Sequence, residues 1–131
     1  MTLFPGAFDS YLGESILKRA IEDKKIRVKF YNPRDFTHDK WSRVDRAPYG
    51  GGPGMVIQAL PVALAIESAL KICDKENKKR KQKTAPKIIY FSPGGYEFDT
   101  AYAKAVAKKY GETGHIIFVC GRYEGIDARV K

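Results

Sequence analysis

Residues 88–95 read IIYFSPGG and residues 116–127 read IIFVCGRYEGID, and the two stretches share one design. Each is the heart of an unbroken run of β-branched and aromatic residues, KIIYFS over 87–92 and HIIFVC over 115–120, that opens into glycine. A strand with one face in water alternates polar and apolar residues. A continuous apolar run fits a strand covered on both faces, as in a parallel sheet. Parallel strands need a crossover, and Asp99 is placed to cap a helix carrying Tyr102, Val106 and Tyr110 between the two runs. The chain therefore reads as an α/β fold, a mostly parallel sheet with flanking helices.

Upstream, IRVKFY (26–31) alternates, with Ile26, Val28 and Phe30 on one face, and Leu3-Phe4 ends a short apolar piece. Both read as further strands, giving a sheet of three or four. Phe8, Leu12, Ile16 and Ala20, widened by Leu17 and Ile21, predict a helix. Pro61 suits a first helical turn, and Val62, Ala65, Ile66, Ala69 and Cys73 follow at helical spacing. The run KENKKRKQK (75–83) reads as a basic surface loop. The first strand has hardly begun at Met1, and GIDARVK stops where another element should build, so the expectation is a piece of a longer protein.

With 131 residues there is room for one domain with its own core, and 44% hydrophobic against 30% charged residues is ordinary for a globular protein. The formal net charge of +9 points to a polyanionic partner such as nucleic acid. The lysine-rich run supplies +5 of it, however, and the rest of the chain keeps only +4. No apolar stretch is long enough to span a bilayer and no secretory leader opens the chain, so the expected location is cytoplasmic with no membrane partner. Cys73 and Cys120 lack zinc-site spacing and read as buried reduced thiols; His38 and His115 share no metal-binding spacing.

Open parallel sheets bind ligands beyond the carboxyl ends of their strands. Gly94 and Gly95 follow one run, Gly121 and Gly125 the other. They either make tight strand-to-helix turns or let backbone approach a ligand read edge-on, such as an adenine ring. PYGGGPGM (48–55) is neither familiar phosphate loop: no glycine is followed by Lys-Ser or Lys-Thr, and Ile57 stands where a dinucleotide fingerprint needs its third glycine. In YNPRDFTHD (31–39) the polar cluster reads as turn chemistry. Glu124 and Asp127 flank Gly125 and either cap a turn or hold a charged ligand or base.

Taken together and in order, FYNPRDFTHD, VDRAPYGGGPGM, IIYFSPGG and FVCGRYEGID resemble the N-terminal domain of the bacterial tRNA (guanine-N(1))-methyltransferases of the SPOUT class, the TrmD family. The resemblance runs across residues 1–131 apart from the lysine-rich run. It implies a SPOUT-type domain that binds S-adenosylmethionine, with a trefoil knot complete only in a full-length protein, and a homodimer acting on tRNA at the guanine 3′-adjacent to the anticodon. Carried over by position, Tyr90, Phe91, Ser92, Pro93 and Gly94 match a first cofactor loop, and Gly121, Tyr123, Glu124 and Gly125 a second. Glu124 supports catalysis in that match, Asp45, Pro53 and Gly54 face the substrate, and no residue matches a metal ligand. The general base, a third cofactor loop and a C-terminal tRNA-gripping domain are expected beyond Lys131, so the 131 residues alone are expected to be inactive. Arg46-Ala47 and Ala128 depart from the family pattern, where acidic residues are usual after Asp45 and after Asp127. Another SPOUT RNA methyltransferase and a non-catalytic RNA-binding α/β module are the alternative readings. The expected use of PYGGGPGM is a wall of bare backbone on which a flipped-out base can lie.

Overall fold

The two apolar runs form the only parallel ladder among the described residues of a computed structural model, which describes residues 1–81, 84–111 and 114–130. Strand β3 (Lys87–Phe91) pairs with β4 (Ile116–Cys120) in register Lys87↔Ile116 through Phe91↔Cys120. The crossover between them carries helix α4 (Thr100–Tyr110). Its Asp99 cap accepts a 2.7 Å hydrogen bond from the Tyr102 N–H, and Val106 is its buried residue.

Ile117 and Val119 point into the main core, with Ile88 and Tyr90 packed against it from β3. The alternate residues form the second face, where Ile89 is buried but Phe91 and Phe118 stay 44% and 40% exposed. Full cover on both faces, as the apolar runs implied, is thus found on one face only. The aromatic rings shelter each other instead: Phe91 stacks on Phe118 at 5.6 Å and meets Phe98 edge-on at the same distance.

The predicted sheet of three or four strands is also corrected. Met1–Leu3 lies alongside β4 on the edge away from β3, with the Met1 amine donating to Phe118 O at 2.7 Å and the Cys120 N–H to Met1 O at 3.0 Å. Thr2 turns its N–H outward to Tyr31 O at 3.1 Å. Met1–Leu3 thus flanks β4 and Tyr31 flanks Thr2, but neither Leu3-Phe4 nor 26–31 forms a ladder. Ile26 and Val28 remain exposed, so segment 26–31 lacks the covered face that would hold it as a strand.

Helix α3 (Ala59–Arg80) is the spine of the core. Pro61, Val62, Ala65, Ile66, Ala69 and Cys73 form its buried stripe, and Asn77 extends that stripe by one more turn. Lys75 to Arg80 are therefore helical rather than a loop, and Lys81 ends the helix with a left-handed φ of 55°; Gln82 and Lys83 lie outside the described residues. Two members of the basic run face inward: Asn77 donates from Nδ2 to Thr84 O at 2.9 Å, and Glu76 pairs with Arg27. The lysines and arginine at the helix end meet its negative pole, which favours them there.

The single helix expected over Phe8 to Ile21 is broken into three pieces: a 3-10 turn at Pro5–Phe8, α1 (Asp9–Leu12) and α2 (Ser15–Glu22). Gly13 ends α1, and Ser15 at φ 51° redirects the chain, so the four-residue repeat never shares one face. None of the three pieces buries a residue.

The glycine-rich stretch connects a two-residue antiparallel ribbon, β1 (Asp45–Arg46) with β2 (Val56–Ile57). Ile57 is fully buried, and on its far side it bridges Ile126 in parallel. This places the ribbon beside the segment that follows β4. The chain is an α/β protein, as predicted.

Candidate active site at the carboxyl ends of the parallel strands

Because β3 and β4 run parallel as neighbours, the loops after them leave at the same end of the ladder. In the first loop the Gly95 N–H closes a turn on Ser92 O at 3.0 Å, and Gly94 has open space where a β-carbon would stand. Phe91, Ser92 and Pro93 line a groove of about 790 Å³ together with Phe98, just before the Asp99 cap, and Tyr102 in the first turn of α4. Its walls are aromatic faces and loop backbone, with Glu97 its one charged lining residue. Tyr90 lines the same groove and also reaches inward: its ring packs against the core and its hydroxyl donates to Val130 O at 3.0 Å. Burial raises the Tyr90 phenol above its ordinary pKa.

The second loop is zipped to the ribbon. Glu124 N–H donates to Met55 O, Ile57 N–H to Gly125 O and Asp127 N–H to Ile57 O, each at 3.0 Å. Gly125 at φ 122° and Tyr123 at φ 59° make the tight path that these bonds require. None of residues 121–125 lines the groove of the first loop. The two loops are adjacent at one end of the ladder without enclosing a common pocket.

The zipper brings PYGGGPGM to Glu124. A β-carbon built on Gly54 would stand 2.7 Å from Glu124 Cγ and 2.9 Å from Oε1, and Gly54 also holds φ 102°. Gly50, Gly51 and Gly52 have φ between 84° and 98° with open space around them, so there the backbone conformation alone asks for glycine. Asp45 lies at the base of the same ribbon, opposite Ile57 in register. The structure thus gathers Asp45, Pro53, Gly54 and Glu124 around one ribbon, with the first loop on the neighbouring strand.

Glu124 and Asp127 part company here. Asp127 is a turn-capping group: its Oδ1 accepts from the Arg129 N–H at 3.0 Å, and the Arg129 guanidinium closes on the carboxylate at 2.7 Å. Those bonds hold its pKa down at about 2. The carboxylate of Glu124 is exposed and makes no hydrogen bond or ion pair among the described residues. Turn chemistry also accounts for 31–39, where Asn32 Oδ1 accepts from Arg34 N–H and Asp39 takes up Arg43. His115 sits at the foot of β4, 3.9 Å from Glu76 and at the end away from the loops.

Several residues escaped the sequence reading. Phe98 and Tyr102 wall the groove, although the helical spacing of Tyr102 resembles a core position. Tyr49, inside the glycine-rich stretch, receives a 3.1 Å hydrogen bond from Arg129. No local pattern announces that pairing, because it joins segments distant in sequence.

Parallel strands ending in two glycine turns, with an unpaired carboxylate on the loop beside them, place the candidate site at the strand carboxyl ends, where open α/β sheets bind their ligands. The family model described as tRNA (Guanine-1)-methyltransferase TrmD matches residues 1–131, and the chain belongs to that family. It is 41% identical over 130 residues to the tRNA (guanine-N(1)-)-methyltransferase of Alkaliphilus oremlandii, covering 99% of this chain and 49% of that protein. The protein of the same name from a Sulfurovum species is 43% identical over 130 residues, with 99% and 51% covered. Among solved structures, the tRNA (m1G37) methyltransferase from Aquifex aeolicus superposes with a TM-score of 0.68 at 28% identity, covering 99% of this chain and 52% of that one. The chain spans about half the length of the curated relatives it matches.

Proposed function

We propose that this chain is the donor-binding part of a SPOUT-type methyltransferase that moves a methyl group from S-adenosylmethionine to nitrogen 1 of the guanine 3′-adjacent to the anticodon of tRNA. The observation that carries the reading is the free Glu124 carboxylate, braced against Gly54 at the end of the ladder where both loops emerge. Membership of the TrmD family and the names of its relatives support the reaction class.

The residues present fit the donor. Open backbone at Gly94, aromatic faces at Phe91, Phe98 and Tyr102, and a groove whose charged residue is acidic suit an adenine ring joined to a positively charged sulfonium. When bound, the donor supplies an activated methyl group. The work of the chain is then to place the acceptor, since a methyl transfer needs its reacting atoms in line. A guanine presents N1–H and its exocyclic amino group side by side on one edge. A carboxylate accepts from the exocyclic amino group, so Glu124 orients the base while N1 stays open to the donor, and the N1 proton leaves to the general base expected beyond Lys131 as the S–CH3 bond breaks. Gly54 and its neighbours set where the carboxylate stands, and Asp45 lies at the foot of the same ribbon. Glu124 is a supporting residue in this scheme; Tyr90, Phe91, Ser92, Pro93, Gly94, Gly121, Tyr123 and Gly125 form the two donor loops, and the enzyme works as a cytoplasmic homodimer. Among the described residues, no helix is long and apolar enough to cross a membrane.

Calorimetry of the full-length protein with S-adenosylmethionine, and its methyl transfer to tRNA carrying guanine or adenine at the target position, test the proposal together. The expected result is saturable donor binding and transfer to the guanine tRNA alone. Equal transfer to both tRNAs, or no donor binding, contradicts it.

A further inference from the structure

Phe4 is 45% exposed at the end of the Met1–Leu3 segment, and two guanidinium groups lie over its ring. Arg34, from the 3-10 turn Pro33–Phe36, has its Cζ 5.7 Å from the ring centroid, and Arg122, from the second loop, 5.4 Å. Arg122 also stands 5.9 Å from the ring of Tyr123, itself 46% exposed. Arg34 is fixed by a 3.3 Å hydrogen bond from Nη1 to Leu3 O.

Arg27, Arg43 and Arg129 each close on a carboxylate, of Glu76, Asp39 and Asp127 respectively. Arg34 and Arg122 do not pair with any carboxylate among the described residues, and they stand 5.7 and 5.4 Å from the centroid of the same Phe4 ring. Two like charges around one ring without a counter-charge favour anions beside them, and guanidinium forks match phosphate oxygens. Exposed aromatic rings next to such cations are how proteins track a single strand of nucleic acid.

We propose that Arg34 and Arg122, gathered over Phe4, form a phosphate site for the backbone of the RNA substrate, next to the loop that carries Glu124. The proposal rests on the reading of the chain as an RNA-modifying enzyme. The other anion available to such an enzyme is the amino-acid carboxylate of the methyl donor. The position of Arg34 favours phosphate: it is bonded to the segment flanking β4 on the edge away from β3, outside both donor loops.

The test is tRNA binding by the full-length protein over a series of salt concentrations, beside calorimetry with S-adenosylmethionine. Arg34→Gln should weaken tRNA binding by about tenfold and lower the slope of log Kd against log salt by about one, and the double change with Arg122→Gln should lower it by about two. Arg34→Lys should keep the slope, and donor affinity should be unchanged in Arg34→Gln. Should Arg34→Gln fail to fold, Arg122→Gln alone carries the same expected loss of about one in slope. An unaltered slope in the glutamine variants, with wild-type protein still methylating tRNA, overturns the phosphate site alone. A loss of donor affinity with the slope intact assigns the arginines to the donor carboxylate and also overturns it. Wild-type protein that does not bind tRNA overturns both this site and the proposed function.

Discussion

Gly54 and Glu124 are in such close approach that a single added carbon at residue 54 would stand 2.7 Å from the Glu124 side chain. The contact exists because Met55 and Ile57 pair with the segment from Glu124 to Asp127. It changes the meaning of PYGGGPGM. The expected role was a bare wall for a base, and the structure adds a brace for a carboxylate.

Gly54→Ala is therefore expected to do two things. Holding alanine at φ 102° costs about 1–2 kcal/mol of stability, and pushing Glu124 aside lowers methyl transfer by the full-length protein by about ten- to a hundredfold. The two residues should couple: in a Glu124→Ala background the added methyl group has less to displace, so the double variant should lose less stability than the two single losses together. Strict additivity in denaturant unfolding would mean that the contact has no energetic weight.

Gly51→Ala serves as the contrast. Gly51 has φ 84° but nothing within 4 Å of a built β-carbon. Its cost is expected to be backbone strain alone, about 1 kcal/mol, with methyl transfer by the full-length protein close to wild type. Kinetics of the two alanine variants side by side separate strain in the loop from displacement of Glu124.

The Asp127–Arg129 pair sets a pH dependence. Hydrogen bonds from the Arg129 side chain and then its backbone N–H hold Asp127 down from 3.8 to about 2. A carboxyl group whose folded pKa is depressed stabilises the fold fully above its unfolded value, and that contribution fades as pH falls through the folded one. Wild type should thus exceed Asp127→Asn in urea midpoint at pH 5 to 7, and the gap should close toward pH 2. A gap that persists at pH 2 would place the effect elsewhere.

Asn77 tests the helical reading of the basic run. Its Nδ2 is the partner of Thr84 O, and the residue is buried. Asn77→Ala is expected to cost about 1–3 kcal/mol through the unpaired carbonyl, while Lys79→Ala, on an exposed position, should stay within about 0.5 kcal/mol of wild type. Thermal unfolding of both variants measures this.

What could be read in the sequence follows from how local each signal is. The runs at 87–92 and 115–120, the stripe from Val62 to Cys73 and the Asp99 cap are written in neighbouring residues, and each appears in the structure. The alternation of 26–31 describes a surface that could lie on a sheet, but a ladder needs a partner edge, which one bond from Thr2 to Tyr31 does not supply. The helix boundary inside KENKKRKQK was hidden by composition, although Asn77 follows Cys73 at one helical turn. Glu124 stood out beside its glycine. Its contact with Gly54 did not, since it depends on pairing between segments far apart in the chain.

The central claim is that the loops after β3 and β4 hold the methyl donor together. Amide chemical-shift mapping during titration with S-adenosylmethionine tests it most directly. The account predicts that the largest shifts fall in both 90–95 and 121–125 and saturate together. Shifts confined to one loop, or centred at the opposite end of the ladder near His115, would contradict it.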